Sequence, residues 1–185
     1  MPDGVFPSRF HEAADAGWPE TRRVTLDKTD LRILEALQHN ARISISDLAD
    51  LVSLTSTPCT RRLHQLEAAG YIEGYVAVLD QKRLGLPVDA FAEVRLTREG
   101  KQEIAEFETA VRHRPEVMQC WALSGRYDYL LHVVTPDLEA YNRFLRDELL
   151  KLSCVDHVET SFALHRVLGR TALPLEHLRL NAKHR

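Results

Sequence analysis

The chain is short of several things. Three cysteines in 185 residues, Cys59, Cys120 and Cys154, are odd in number and far apart, which argues against a disulfide framework and for a reducing compartment. No apolar run approaches the length of a membrane span. Asp3, Glu12 and Asp15 interrupt the first residues and leave no apolar central region, so no signal peptide is read there and a cytoplasmic protein is expected. A net charge of −3 excludes a bulk polycation; any nucleic-acid binding must rest on locally placed basic groups. No Cys or His spacing matches a zinc site, and no nucleophile, base and orienting acid form a recognisable set. No metal, cofactor or catalytic residue is therefore expected. Inspection finds no internal repeat or low-complexity tract.

What is present begins after residues 1–24, which mix Pro, Gly, Ala and charge without a period and read as a disordered leader. Arg22 and Arg23 at its end are placed to reach phosphates as a basic arm. Asp27 is set to cap a first helix, with Asp30 in its first turn and Leu31, Ile33, Leu34 and Leu37 as an apolar face ended by Asn40. Ser44 and Asp47 open a second, two-turn helix with Leu48, Leu51 and Val52 inward. Thr55 is positioned to cap a third, and Gly70 follows its end.

Residues 44–67 thus read as helix, short turn, helix. On the third helix Cys59, Leu63 and Leu66 share one side, with Arg62 at its edge. Ser56 lies in the first turn, and Thr57, Thr60, Arg61 and His64 share the opposite side. That polar set suits a helix seated in the DNA major groove: arginine can take guanine O6 and N7 with paired bonds, and a threonine methyl can meet that of thymine. Amphipathicity alone suits a solvated surface helix equally well. The short preceding helix and the tight Val52-Ser53-Leu54 connection are what favour a helix-turn-helix. Against it, acids outnumber Lys plus Arg between residues 26 and 79. Binding would depend on Arg61, Arg62 and their neighbours.

Residues 71–80 are rich in β-branched and aromatic types and read as a strand, with a linker through Gly85 and Pro87. The rest alternates: strand 88–96, helix 101–112, strands 117–123 and 127–134 around Ser124-Gly125-Arg126, a helix capped by Thr135 with Leu138, Tyr141, Leu145 and Leu149 inward, and a long strand 155–168. This is the βαββαβ order of a ferredoxin-like domain. Its sheet has helices on one face, and the usual cover for the other is a second copy. The α+β chain divides as leader 1–24, helix-turn-helix 25–70, hinge strand and linker 71–87, sandwich domain 88–175 and tail 176–185.

The 124–128 loop has ligand-like features. Gly125 lets backbone amides approach a carboxylate, Asp128 offers an anion to an ammonium group, and Thr135 could donate a hydroxyl. A plain hairpin turn explains the same residues. Cys154 reads as a loop residue and the best candidate for a reactive thiol.

The segment L-T-S-T-P-C-T-R-R-L-H-Q-L-E followed by G-Y-I-E-G-Y resembles the helix-turn-helix and following strand of the Lrp/AsnC regulators. S-G-R-Y-D-Y-L-L at residues 124–131 resembles the effector loop of that family. The likeness spans residues 26 to about 174. It implies a winged helix-turn-helix joined by a hinge strand to an αβ sandwich that dimerises through its sheet. It also implies assembly into tetramers or octamers, double-stranded DNA as partner, and an amino-acid effector held near Ser124, Gly125, Arg126, Tyr127 and Asp128. Arg126 stands where several relatives carry an acid. T-S-T-P-C and S-F-A-L look closest to members tied to sulfur metabolism. The rival expectation is a small metabolic enzyme or ligand-binding module using the sandwich alone.

Overall fold

The computed structural model describes residues 26–97 and 100–181; the leader and its Arg22–Arg23 arm lie outside them. The chain falls into two compact units: one runs to Ala77 and takes in the C-terminal segment from Gly169, and the other is Val78–Leu168. By compactness the residues from Gly169 onward group with the helices, where the sequence reading places residues up to 175 with the sandwich.

The first unit is built from α1 (Lys28–His39), α2 (Ile45–Val52) and α3 (Ser56–Ala68). The Asp27 carboxylate accepts from the N–H groups of Thr29 and Asp30 at 2.8 Å each, and the Asp27 N–H donates to the Asp30 carboxylate at 3.0 Å. This reciprocal box satisfies donors that a helix start leaves open. Ser44 Oγ accepts from the Asp47 N–H in the same way at α2. The tight turn after α2 is made by Ser53 at φ 60°, ψ 46°, a left-handed conformation unusual for a residue with a side chain.

The three helices close around Ile33, Leu48, Ala49, Val52, Cys59, Leu63 and Leu66. Leu51, expected inward, is 48% exposed. The buried face of α2 is centred on Leu48, Ala49 and Val52, and at 3.6 residues per turn Leu51 falls about 100° away from that centre.

Residues 71–80, expected as a strand, take no regular secondary structure and belong to no ladder among the described residues. Their composition fits a strand, yet a strand exists only beside a partner. Tyr75, Val76, Val78 and Leu79 are left exposed, and Tyr75 ties back to Glu67 through its hydroxyl at 3.0 Å.

The second unit is β1 (Val88–Leu96), α4 (Lys101–Arg112), β2 (Val117–Ala122), β3 (Tyr129–Thr135), α5 (Leu138–Phe144) with a π-helical turn Leu145–Leu149, and β4 (Val155–Phe162). The antiparallel sheet has the order β2-β3-β1-β4. The central pair β1 and β3 alternates as period-two geometry requires: Ala90, Ala92, Val94, Leu131 and Val133 pack beneath Phe107, Val111, Tyr141, Phe144 and Leu149. The opposite face carries Phe91, Glu93, Trp121, Leu130, His132 and Glu159, which no helix among the described residues of this unit covers.

Three expectations here are corrected. The start of α5 is capped by Asp137, whose carboxylate accepts from the Ala140 N–H at 2.6 Å; Thr135 is instead the last residue of β3. The shifted start turns Leu138 outward, 60% exposed, and Phe144 takes a place in the core. The last strand stops at Phe162, which pairs with Ala90 near the start of β1; beyond it the Ala163 N–H still donates to the Asp89 carbonyl at 2.9 Å. A sixth helix, α6 (Glu176–Asn181), lies in the tail and was not foreseen.

Candidate nucleic-acid interface and effector loop

Helix α3 presents two faces of different kind. Cys59, Leu63 and Leu66 are buried. Ser56, Thr57, Thr60, Arg61 and His64, with Gln65 and Ala68, line one shallow depression along its outer side. Gln65 was missed in the sequence reading; its spacing from Arg61, one helical turn, was the available signal. The Thr60 hydroxyl donates to the Ser56 carbonyl at 2.9 Å. Its proton is thus committed, and what it can offer a base edge is a methyl group or an acceptor lone pair.

The two adjacent arginines part company. Arg61 is exposed and makes no hydrogen bond or ion pair with another described residue. Arg62, expected beside it on DNA, turns the other way: its Nη1 lies 2.7 Å from Asp27 and 2.8 Å from Asp30. Asp30 is otherwise buried, so the pair binds α3 to the start of α1. Partial burial works to raise the Asp27 pKa, but the Asp30 N–H, the Arg62 guanidinium and the Thr29 N–H outweigh it and hold the carboxyl below its ordinary 3.8. Hydrogen bonds to Asp30 and Asp27 raise the Arg62 pKa further. In the structure Arg62 thus ties α3 to the start of α1, where the sequence reading places it on DNA beside Arg61.

The start of α3 differs from those of α1 and α2. Thr55 occupies the capping position but forms no side-chain cap. The amides of Ser56 and Thr57 therefore lack the side-chain carboxylate or hydroxyl that closes the other two helices. A phosphate oxygen suits that vacancy, since open N–H groups and the helix dipole both favour an anion.

The 124–128 loop joins β2 to β3 as a tight reversal. The Leu123 N–H donates to the Asp128 carbonyl at 2.8 Å, and Gly125 takes φ +155° with open space where a Cβ would stand. Ser124, Gly125 and Arg126 are exposed. The Arg126 guanidinium carbon sits 5.4 Å from the centre of the Tyr127 ring. Tyr127 is buried, and its hydroxyl donates to Glu159 across the sheet. That bond, with burial, raises the phenol pKa, and Arg126 partly opposes the rise.

Two expected effector residues have other work. Asp128 Oδ2 accepts from the Leu96 N–H at 2.6 Å, and the Asp128 N–H donates to Val94 O at 2.9 Å. Both bonds lie on the β3 side of β1, just past Val94 and Tyr129, the last pair of those two strands, so this carboxylate takes the Leu96 N–H where the ladder ends. Thr135 is 1% exposed, and its hydroxyl donates to the Asp137 carbonyl at 3.0 Å. It stands at the opposite end of β3 from the loop, about 20 Å away at 3.3 Å per residue. The structure therefore gathers Ser124, Gly125, Arg126 and Tyr127 and leaves Thr135 apart.

Cys154 is 1% exposed, and burial, with Glu106 nearby, raises its pKa, so it is no reactive thiol. Cys59 is likewise buried, and Cys120 on β2 is the exposed one. Among the described residues no group of three or more His, Cys, Asp or Glu could hold a metal ion, and no helix is long and apolar enough to cross a membrane.

A helix-turn-helix with an outward polar recognition helix, joined to a βαββαβ sandwich, defines a DNA-binding regulator with a ligand domain. Family comparison agrees for both parts: a winged helix-turn-helix DNA-binding model matches residues 26–73, and the Lrp/AsnC ligand binding domain model matches residues 89–173. The chain belongs to the Lrp/AsnC family of transcription regulators; it is not an enzyme. It is 41% identical over 150 residues to the Bkd operon transcriptional regulator of Pseudomonas aeruginosa, covering 81% of this chain and 98% of that one. With the leucine-responsive regulatory protein of Escherichia coli it shares 37% over 142 residues, 77% and 87% of the two chains. A transcriptional regulator from Neisseria meningitidis, solved as an L-Met complex, superposes with a TM-score of 0.80 at 42% identity, covering 83% and 99%.

Proposed function

We propose that this protein reads a two-fold symmetric DNA site with α3 and that a small amino acid sets its DNA-bound state. Arg61 carries the reading: an exposed guanidinium without a partner among the described residues stands on the face that also holds Thr57, Thr60, His64 and Gln65, while its neighbour Arg62 holds the helix in place. Ser56 and Thr57 contribute their amides to a phosphate. With acids outnumbering Lys plus Arg between residues 26 and 79, affinity rests on few contacts, and dimerisation multiplies them through effective concentration.

The face of the sheet bearing Phe91, Trp121 and Leu130 is the surface for a second copy. Larger closed assemblies of dimers fit the same symmetry. Residues 71–80 supply a further strand edge to the same partner. The effector is a free amino acid, and the L-Met complex of the similar Neisseria regulator supports a sulfur-containing one. Ser124, Gly125, Arg126 and Tyr127 form the loop that meets it, with Arg126 suited to the carboxylate. Such a ligand acts by preferring one assembly or spacing over another. The protein works where DNA is, in the cytoplasm.

An electrophoretic shift with the DNA upstream of the protein's own coding sequence, at two salt concentrations, tests the reading. Binding should weaken as salt rises, with a slope of about −0.9 per phosphate neutralised. Retention of a salt-independent affinity, or none at either concentration, would refute it. Thermal shifts against the twenty amino acids test the effector: a ligand that binds only the native form raises the melting temperature.

A further inference from the structure

The outer side of α1 takes no part in the recognition face, yet it holds the end of the chain. Gln38 Nε2 donates to the Leu173 carbonyl at 3.3 Å, and Gln38 Oε1 accepts from the Leu173 N–H at 2.5 Å, so one side-chain amide meets both backbone groups of one residue. Six residues on, Arg179 of α6 places one Nη2 on both carboxylate oxygens of Glu35. Glu35 and Gln38 are three apart on one stripe of α1, so the tail follows that stripe toward the start of the helix. The contacts link positions 135 and 144 apart in sequence, which no local turn or cap would bring about. Leu175 and Leu178, three apart, are half-buried beside exposed neighbours, as the inward side of a docked helix would be.

We propose that segment 173–181 is a strap that docks on α1 of its own subunit and narrows the orientations open to the DNA-binding unit. The chain passes between its two compact units twice, at Ala77–Val78 and at Leu168–Gly169. A body held by two connections has less orientational freedom than a body held by one, provided that the second is fastened. Glu35, Gln38 and Arg179 are the fastening. The side chains of Arg179 and Glu35 are 55% and 32% exposed, so the ion pair is weak in water and screened by salt. The strap therefore opens and closes readily, and charge at positions 35 and 179 sets the balance. Its consequence rests on the DNA-reading proposal above: a docked strap sharpens the preference of a dimer for one half-site spacing.

The full-length chain is compared with Glu35→Arg, Arg179→Glu and the double charge swap. Hydrogen exchange at the Leu173 amide should quicken about fivefold in each single variant and return to within about twofold of the original in the swap. On DNA with two half-sites at graded spacings, the single variants should flatten the preference and the swap restore it. Unchanged exchange in the singles overturns the docking. Faster exchange with an unaltered spacing profile overturns the positional role. Failure of the unmodified protein to bind any DNA defeats the DNA reading instead, and the exchange result stands apart from it. A chain ending at Ala172 provides a second variant with no strap, and it should match the singles. Gln38→Cys with Leu173→Cys, treated with a bis-maleimide in a Cys120→Ser background, should link within one chain; linkage between chains overturns docking in the same subunit.

Discussion

Arg62 Nη1 lies 2.8 Å from Asp30 Oδ1, and this one bond gives two neighbouring arginines different roles. Asp30 is 8% exposed and already serves the N–H of Asp27 with its other oxygen. A buried carboxylate without a cation would be costly. Arg62 answers that need from the far side of α3, and in doing so sets the rotation of the helix, which leaves Arg61 pointing away from the core.

Substitution at the two positions should therefore separate reading from stability. Arg61→Ala should weaken binding to the specific site by about 1–3 kcal/mol with the melting temperature unchanged. Arg62→Ala should lower stability by about 1–3 kcal/mol, since it leaves Asp30 without its charged partner. Fluorescence anisotropy on specific and unrelated DNA, beside thermal melting, distinguishes the outcomes. Equal losses of affinity in both variants with no change in melting would show Arg62 to be a base contact after all.

The Asp27 carboxyl predicts a response to acid. Its pKa is lowered on folding, so its contribution is fully present above the unfolded value near 3.8 and is lost as pH falls through the lower folded value. Thermal melting followed from pH 6 to pH 2 should show the helical unit losing stability below about pH 4, and Asp27→Asn should reduce that slope. A steeper slope in Asp27→Asn would contradict the assignment. The effect is modest because the side chain is half exposed.

Ser53 bears a side chain in a left-handed conformation. Ser53→Gly relieves it, offset by the greater freedom of glycine in the unfolded chain, for a net gain of about 0.5–1 kcal/mol. Urea unfolding should move to higher midpoint with its slope retained. A lower midpoint would mean that the Ser53 side chain contributes more than the strain costs.

Asp128→Ala should cost stability by about 1–3 kcal/mol, because the Leu96 N–H loses its acceptor where the pairing of β1 with β3 ends. Asp128→Asn keeps an acceptor oxygen and should recover most of the loss. Arg126→Ala, by contrast, should leave melting unchanged and abolish the thermal shift given by the amino acid. If Asp128→Ala melts normally and only the ligand response disappears, the carboxylate belongs to the effector after all.

Periodic and capping signals were legible wherever the chain itself supplied the partner. Asp27 and Asp30 box the start of α1 because both lie within one turn. β1 ran from Val88 to Leu96 as its alternation required. The inward side of α3 followed from Cys59, Leu63 and Leu66. Where two residues of similar type stood side by side, the pattern could not choose between them. Arg61 and Arg62 differ only by 100° of helix, and Thr135 and Asp137 are both good caps two residues apart. Asp128 reads as a turn residue or a ligand anchor until the Leu96 N–H, 32 positions earlier in the chain, is brought to it.

By itself the sequence determined the first three helices, the βαββαβ order of the second unit and the polar side of α3, because those depend on spacing along one chain and on the local preferences of backbone and side chain. The tertiary structure decided which charged group is spent on the fold and which remains for a partner. Arg62 goes to Asp30, Asp128 to Leu96 and Arg179 to Glu35, and Arg61 keeps no such bond among the described residues. The physical reason is that an ion pair or a capped amide is a matter of a few ångströms between distant segments, and only the packing of the core brings those segments together.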